Sequence, residues 1–462
     1  MSSPPRNRPT GSEEEEQGLL NDETDSLESF SQWPRPLQPL IRQFSLRSKA
    51  FFWALAALSS FFIVLFFFAL RSSYDETVIL VSLDGFRADY FSRDLSKTLT
   101  QLSRDGVRAE YLKSCFPSIT FPNHYSIVTG LYPEAHGIVS NVFYDPDLNE
   151  TFVYTDPAKS SEGYWWGGEP IWITAVKQGK KAASCMYVGG NAEIKGYRPT
   201  YHRDYDSHVT LAEKVDTVLG WIDLPKRKRP VFIAMYIADV DSAGHQFGPG
   251  SAEVNDAIKR VDVALHQLVE GIRSRGLSHK VNIVVVSDHG MAQVQRDRVV
   301  YLDDYIDPDL VRVENNGPIL TLEPLDASDQ GRIYRTLKKA ASEDGFWNIW
   351  HREDVPAEYH YSNNKRIGSL VLVGDVGSLF TFRDKQHAST IPQGAHGYNN
   401  SAPEMHAIFV ASGPSFKPFK SREPHPPFSN VEIYNIIARI LRLDPAPNNG
   451  TKGGAHPSAY LL

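Results

Sequence analysis

Four short, unbroken apolar runs constrain what this chain can fold into. They are Thr77–Leu83, Val231–Ile237, Asn282–Ser287 and Ala407–Ala411. Each has strand length and is bounded by polar or turn residues, so each reads as a buried strand. Between the second and third, Val254, Ile258, Val261, Leu265, Leu268 and Ile272 recur at three- and four-residue steps. That spacing predicts an amphipathic helix with Lys259, Asp262 and Glu270 facing away. A last helix around Val431–Leu441 repeats the pattern. Strand alternating with helix predicts an α/β fold, a mostly parallel central sheet covered by helices on both faces. Residues from about 300 to 390 are less regular and more charged. They predict a subdomain inserted into a larger domain spanning 77–451.

A different signal precedes the first strand. Ala50 through Leu70 is 21 residues without a charge, and about 20 suffice to cross a bilayer. A secretory signal peptide would have a shorter apolar core nearer the N-terminus. The run therefore predicts one uncleaved transmembrane helix. Arg42, Arg47 and Lys49 precede it, whereas Asp75 and Glu76 follow soon after. That bias predicts a single-pass type II arrangement, with a cytoplasmic N-terminus and a lumenal or extracellular catalytic domain. Residues 1–49, rich in Pro and Ser with the acidic run Glu13–Glu16, predict a disordered tail. Residues 452–462 are expected to form a C-terminal tail. Asn149, Asn399 and Asn449 open N-x-S/T sequons, which fit a lumenal glycoprotein. The net charge of -7 excludes a basic face for duplex nucleic acid. Cys115 and Cys185 are either one disulfide or two buried thiols. Their spacing excludes a thiolate zinc knuckle.

Ligand-type residues cluster at the strand ends. Asp84 follows the first run, Asp239, Asp241 and His245 follow the second, and Asp288 and His289 follow the third. In open parallel α/β sheets, sites form outside the carboxyl ends of the strands. His396, which precedes the fourth run, can close the cluster. Any one of these fragments is an ordinary turn or cap; together they point to a metal site. Carboxylates and imidazoles without thiolates suit zinc or a similar transition metal better than calcium. Seven candidate ligands exceed one tetrahedral shell, which predicts two ions. The segment Pro117–Gly130 predicts a short helix with Thr120 at its N-terminus. Backbone N–H groups there can hold a phosphate, and a metal can activate the threonine hydroxyl. A plain N-cap is the alternative role for Thr120.

These residues resemble a known family. Asp84-Gly85, Phe116 through His124, Thr129 through Gly137, Asp241 through His245, Ser287 through Gly290 and Gly394 through Tyr398 are similar, in order, to nucleotide pyrophosphatase/phosphodiesterases of the alkaline phosphatase superfamily. The closing segment Pro445–Thr451 resembles fungal members. The resemblance implies two zinc ions, one held by Asp84, Thr120, Asp288 and His289, the other by Asp241, His245 and His396. It excludes Asp239 as a ligand. It makes Thr120 the nucleophile, through a phosphothreonine intermediate, and gives Asn141 a phosphate contact. Phe121 would line the nucleotide pocket; Trp165 or Trp166, and Tyr201 or Tyr205, would stack on the base. Nucleotides, nucleotide sugars or short oligonucleotide ends would be the substrates and nucleoside 5′-monophosphates the products. Asn399 departs from the acidic residue frequent in the family. A sulfatase would need an arginine after the nucleophile, and an alkaline monoesterase usually carries serine. A phosphodiesterase for lipid or choline-type headgroups and a non-catalytic membrane protein are the remaining alternatives.

Overall fold

The computed structural model of the chain describes residues 51, 53–62, 75–314, 317–383, 390–416 and 424–451. Residues 51 and 53–62 are helical. No helix among the described residues is long and apolar enough to cross a membrane. Residues 50, 52 and 63–70 of the expected span lie outside the described residues, as do the expected tails 1–49 and 452–462.

From Asp75 onward the described residues form one compact unit around a seven-stranded sheet. Its strands are β1 (Thr77–Leu83), β2 (Val107–Arg108), β3 (Ala182–Cys185), β4 (Tyr201–Arg203), β5 (Phe232–Ile237), β6 (Val281–Val286) and, after an intervening sheet, β11 (Phe409–Ser412). The order is β2-β11-β6-β1-β5-β3-β4. Every position of β1, β5 and β6 is buried. Unbroken apolar, β-branched sequence is what a strand covered on both faces requires.

The sheet is mixed rather than simply parallel. β6, β1, β5, β3 and β4 pair in parallel, whereas β11 runs antiparallel to β6 and β2. The direction of β11 has a topological cause. The chain reaches it through His396, at the edge where β1, β5 and β6 end, and must run back across the sheet.

Between β6 and β11 sits a separate antiparallel sheet. It comprises β7 (Val311–Glu314), β8 (Ile319–Pro324), β9 (Trp347–His351) and β10 (Leu370–Gly374), in the order β7-β8-β10-β9. It has its own core, including Leu320, Leu337, Trp347, Leu372 and Phe380.

The principal helices are α1 (Thr120–Thr129), α2 (Asp239–Phe247), α3 (Ala252–Ser274), α4 (Gln330–Asp344) and α5 (Glu432–Leu441), of which α1 and α2 carry site residues. In α3 the expected apolar stripe is buried, and Ser251 caps the first turn by accepting from the Val254 N–H. Asp262 corrects the expectation that it faces away. It is buried and accepts from the Thr98 and Leu99 N–H groups, which begin the neighbouring helix Lys97–Asp105. Cys115 and Cys185 are both buried free thiols, and Cys115 Sγ lies 3.0 Å from Asn430 Oδ1.

Candidate active site

Strand register brings the site together. Leu83 pairs with Ile237, and Ser82 pairs with both Tyr236 and Val286. Asp84, the start of α2 and Asp288 therefore leave the sheet at one edge. Within α2, Asp241 and His245 are one turn apart and share a face. Gly85 is needed where β1 meets α2. Its φ is +66°, and a Cβ there would lie 2.8 Å from the Asp241 Cα. Its N–H donates to Asp288 Oδ1 at 3.2 Å. Ala292 pairs antiparallel with Ala395, which carries His396 alongside His289; the two rings stack with centroids 3.5 Å apart.

Three imidazoles are held in one tautomer. His245, His289 and His396 place Nδ1 within 2.9 Å of the carbonyls of Gly394, Gly290 and Ser118 respectively. A carbonyl can only accept, so each Nδ1 carries a proton and each Nε2 faces the cluster. His245 Nε2 and His396 Nε2 are 3.0 Å apart, and each is 3.5 Å from Asp241 Oδ1. His289 Nε2 lies 2.9 Å from Asp288 Oδ2, 3.5 Å from Asp84 Oδ1 and 3.3 Å from Thr120 Oγ1.

Three buried carboxylate oxygens, Asp84 Oδ1, Asp241 Oδ1 and Asp288 Oδ2, make no hydrogen bond. Buried oxygens are rarely left so without a reason. The electrostatics agree. Burial, then Asp288 and Asp241, push the Asp84 carboxyl well above the usual range. Burial opposes a charge on Asp288, yet His289 and His124 hold it well below that range. Burial also opposes a proton on His289, but Asp288 outweighs it and raises the pKa. Burial, then His289 and His245, push His396 well down. Cations placed among these atoms would satisfy the orphaned oxygens and separate the two Nε2 lone pairs, so the residues fit metal ions. Two triads have ligand atoms within 4.8 Å of one another: Asp241, His289 and His396, and Asp84, His124 and Asp288. His289 thus stands between the two groups, and Asp239 belongs to neither.

The remaining expected residues divide. Thr120 is the first residue of α1, and Asn141 Oδ1 accepts from the Phe121 N–H at 2.9 Å. The Phe121 ring meets Tyr154 at 5.4 Å and Trp166 at 6.2 Å. Trp165 instead packs on Phe143 and Phe152 and is fully buried. Tyr205 is exposed, 6.2 Å from the Tyr236 ring. Tyr201 is not brought to the site. Its ring stacks on Trp221 and its hydroxyl donates to the Lys228 carbonyl, which precedes β5 at the opposite edge of the sheet.

Sequence reasoning missed two residues. The Tyr236 hydroxyl donates to Asp84 Oδ2. A tyrosine in a fully buried strand needs a partner for its hydroxyl, and that was the available signal. His124 is fully buried beneath Thr120 and Asp288. Its signal was the four-residue spacing from Thr120 on one helix face.

A family model for type I phosphodiesterase/nucleotide pyrophosphatase matches residues 78–399. An uncharacterized pyrophosphatase/phosphodiesterase of Schizosaccharomyces pombe is 42% identical over 393 residues, 83% of this chain and 80% of the relative. Ectonucleotide pyrophosphatase/phosphodiesterase family member 3 of Rattus norvegicus is 41% identical over 81% of this chain and 43% of its own length. Venom phosphodiesterase of Macrovipera lebetinus is 39% identical over 83% of this chain and 45% of its own length. The chain therefore spans four fifths of the yeast relative but under half of the other two. Among solved structures, murine ectonucleotide pyrophosphatase/phosphodiesterase 5, as an inactive threonine-to-alanine variant in complex with AMP, superposes with a TM-score of 0.78 at 29% identity. That match covers 84% of this chain and all of the murine one.

Proposed function

The chain belongs to the type I phosphodiesterase/nucleotide pyrophosphatase family, and from that membership we propose that it hydrolyses nucleotide pyrophosphate and phosphodiester bonds to nucleoside 5′-monophosphates. One observation carries the reading: three orphaned carboxylate oxygens and three imidazole Nε2 atoms gather beside Thr120 Oγ1 at a helix N-terminus. The substrates are nucleotides, nucleotide sugars or short oligonucleotide ends. The murine relative's complex with AMP supports a nucleotide.

Two zinc ions complete the site. Asp84, Thr120, Asp288 and His289 would hold one, and Asp241, His245 and His396 the other. Bound, they supply positive charge for the attacking and leaving oxygens. Thr120 Oγ1 gives its proton to solvent, bonds to phosphorus in line and expels the leaving oxygen with its electron pair, which takes a proton from water. A water oxygen then bonds to phosphorus, the phosphothreonine P–O bond breaks, Thr120 Oγ1 regains a proton and the monoester is freed. Asn141 spends its Oδ1 on the Phe121 N–H, which turns its Nδ2 donor toward an equatorial phosphate oxygen. Phe121, Trp166 and Tyr205 contact the nucleoside.

The domain is lumenal or extracellular, anchored through residues 50–70, with the N-terminus cytoplasmic. The side chains at the three sequons, Asn149, Asn399 and Asn449, are exposed, which supports that side.

The test pairs metal analysis with turnover. Wild type should carry about two zinc ions per chain and cleave p-nitrophenyl thymidine 5′-phosphate and ATP in preference to a choline phosphodiester or a phosphomonoester. Thr120→Ala should lose at least ~1,000-fold in kcat with its fold intact. Wild-type turnover by Thr120→Ala would remove the nucleophile assignment. Preference for the choline diester would replace the nucleotide reading.

A further inference from the structure

His124 lies one turn after Thr120 in α1 and has no exposed surface. It touches three parts of the site at once. Its Nδ1 lies 2.9 Å from the Thr120 carbonyl and 3.2 Å from Asp288 Oδ2. Its Nε2 meets the Ser82 hydroxyl at 2.8 Å. Because the carbonyl only accepts, Nδ1 carries the proton, Nε2 is the acceptor and Ser82 donates. Both ring nitrogens thus have protein partners. His124 offers no lone pair to a cation, although it lies within ligand reach of Asp84 and Asp288. Tyr187 and Tyr236 pack edge-on against the ring at 5.3 and 5.1 Å and fix its plane.

Asp288 needs such a neighbour. Its Oδ1 is held by the Gly85 N–H, but no hydrogen bond holds its Oδ2. The His124 N–H is directed at the Thr120 carbonyl and flanks that oxygen. The ring therefore connects the end of β1, the carboxylate after β6 and the backbone of Thr120.

We propose that His124 is a positioning residue whose Nδ1–H holds Asp288 and the first turn of α1 in one geometry. The proposal rests on the phosphodiesterase reading above. It predicts that losing the Nδ1 contacts misplaces Thr120 Oγ1 relative to phosphorus and loosens Asp288. The effect falls on kcat and on metal retention, because the nucleoside contacts of Phe121 and Trp166 are untouched. Partners of ligands typically contribute about 10–100-fold to affinity or activity.

Two substitutions separate the nitrogens. In His124→Asn the amide nitrogen takes the place of Nδ1, and Ser82 is lost. In His124→Gln the amide reaches toward Ser82, and the Thr120 and Asp288 contacts are lost. Bound zinc after dialysis against a weak chelator, and kcat and KM on p-nitrophenyl thymidine 5′-phosphate, are measured for both and for wild type. The expected result is that Gln loses zinc and about 10–100-fold in kcat at unchanged KM. Asn should stay within a few-fold of wild type. Wild-type zinc and kcat in Gln, or an equal fall in a folded Asn chain, overturns the proposal. Should Gln lose its far-UV helix signal, the Asn chain decides alone by the same criterion. A wild type with neither zinc nor turnover overturns the phosphodiesterase reading itself, and this proposal with it.

Discussion

His136 ends the one-turn helix Pro133–His136 with no exposed surface. Its Nδ1 accepts from the Ile138 N–H at 3.1 Å, so its proton sits on Nε2, beside Ser126 Oγ at 3.0 Å. That is the reverse of His245, His289 and His396, which give Nδ1–H to carbonyls and keep Nε2 for the cluster. His136 thus turns its unprotonated nitrogen to the backbone, whereas those three turn theirs to the cluster, a difference that no residue letter carries. Burial, with the nearby Arg366 charge, pushes the His136 pKa from 6.5 down to about 3. A base depressed in the folded state contributes stability that is complete above its unfolded pKa. That stability is lost as pH falls from about 6.5 toward 3. Between about pH 7.5 and pH 5 the loss should be about 2 kcal/mol. In His136→Gln the stability change over the same interval should be smaller by that amount, as read by urea unfolding at the two pH values. Parallel pH slopes for the two chains would count against the assignment.

At the scale of elements, the turn after β1 is the tightest joint. Gly85 has φ +66°, and its missing Cβ leaves room for Asp241, whose Cα, Cβ and Oδ1 would lie 2.8, 2.9 and 3.1 Å away. Gly85→Ala adds roughly 1–2 kcal/mol of left-handed strain and pushes the start of α2 off Asp84. A displacement of about 1 Å can cost about 100-fold in rate. Gly179 is the matched control. It has φ +76°, with nothing within 4 Å of an added Cβ. Both alanine variants should lose stability in thermal melts, Gly85→Ala the more, but only Gly85→Ala should lose about 100-fold in kcat. Equal kcat in the two would show that the Asp241 contact is idle.

The same scale explains what was readable. β1, β5 and β6 are legible within a residue, because a strand buried on both faces must be an unbroken apolar run. β3 and β4 are too short, and β4 too polar, to announce themselves. α2 reads as a loop because its first turn is spent on Asp239 and Asp241 rather than on an apolar stripe. β7 and β8 mix charges with apolar residues and β9 mixes Asn and His with Trp and Ile, so the region reads as irregular, although β10 is itself a short, unbroken apolar run. His396 is the expected ligand hardest to place from sequence. A residue before a parallel strand belongs at the far edge of the sheet. Only the antiparallel direction of β11 returns it to the edge where Asp84 and Asp288 emerge.

For the whole molecule, the proposed membrane anchor ahead of the compact unit is the testable feature. The compact unit begins at Asp75, with its own central sheet and buried core. The ligand cluster stands at the carboxyl ends of the strands, whereas the chain enters at the amino end of β1, the edge remote from the site. Every residue of the cluster lies after Asp75 in the sequence. A chain starting at Asp75 should therefore be soluble and should keep kcat and KM on p-nitrophenyl thymidine 5′-phosphate within about twofold of the full chain. The full chain should stay with the membrane after carbonate extraction, since about 20 apolar residues suffice for an integral span. Protease added to the cytosolic side of sealed vesicles should remove the tail 1–49 and spare activity. Endoglycosidase should shift the mobility of the protected product through Asn149, Asn399 or Asn449. Carbonate-released full chain would eliminate the anchor. Activity destroyed by cytosolic protease would reverse the orientation. An inactive but folded chain from Asp75 would show that the N-terminal segment contributes to the catalytic site itself.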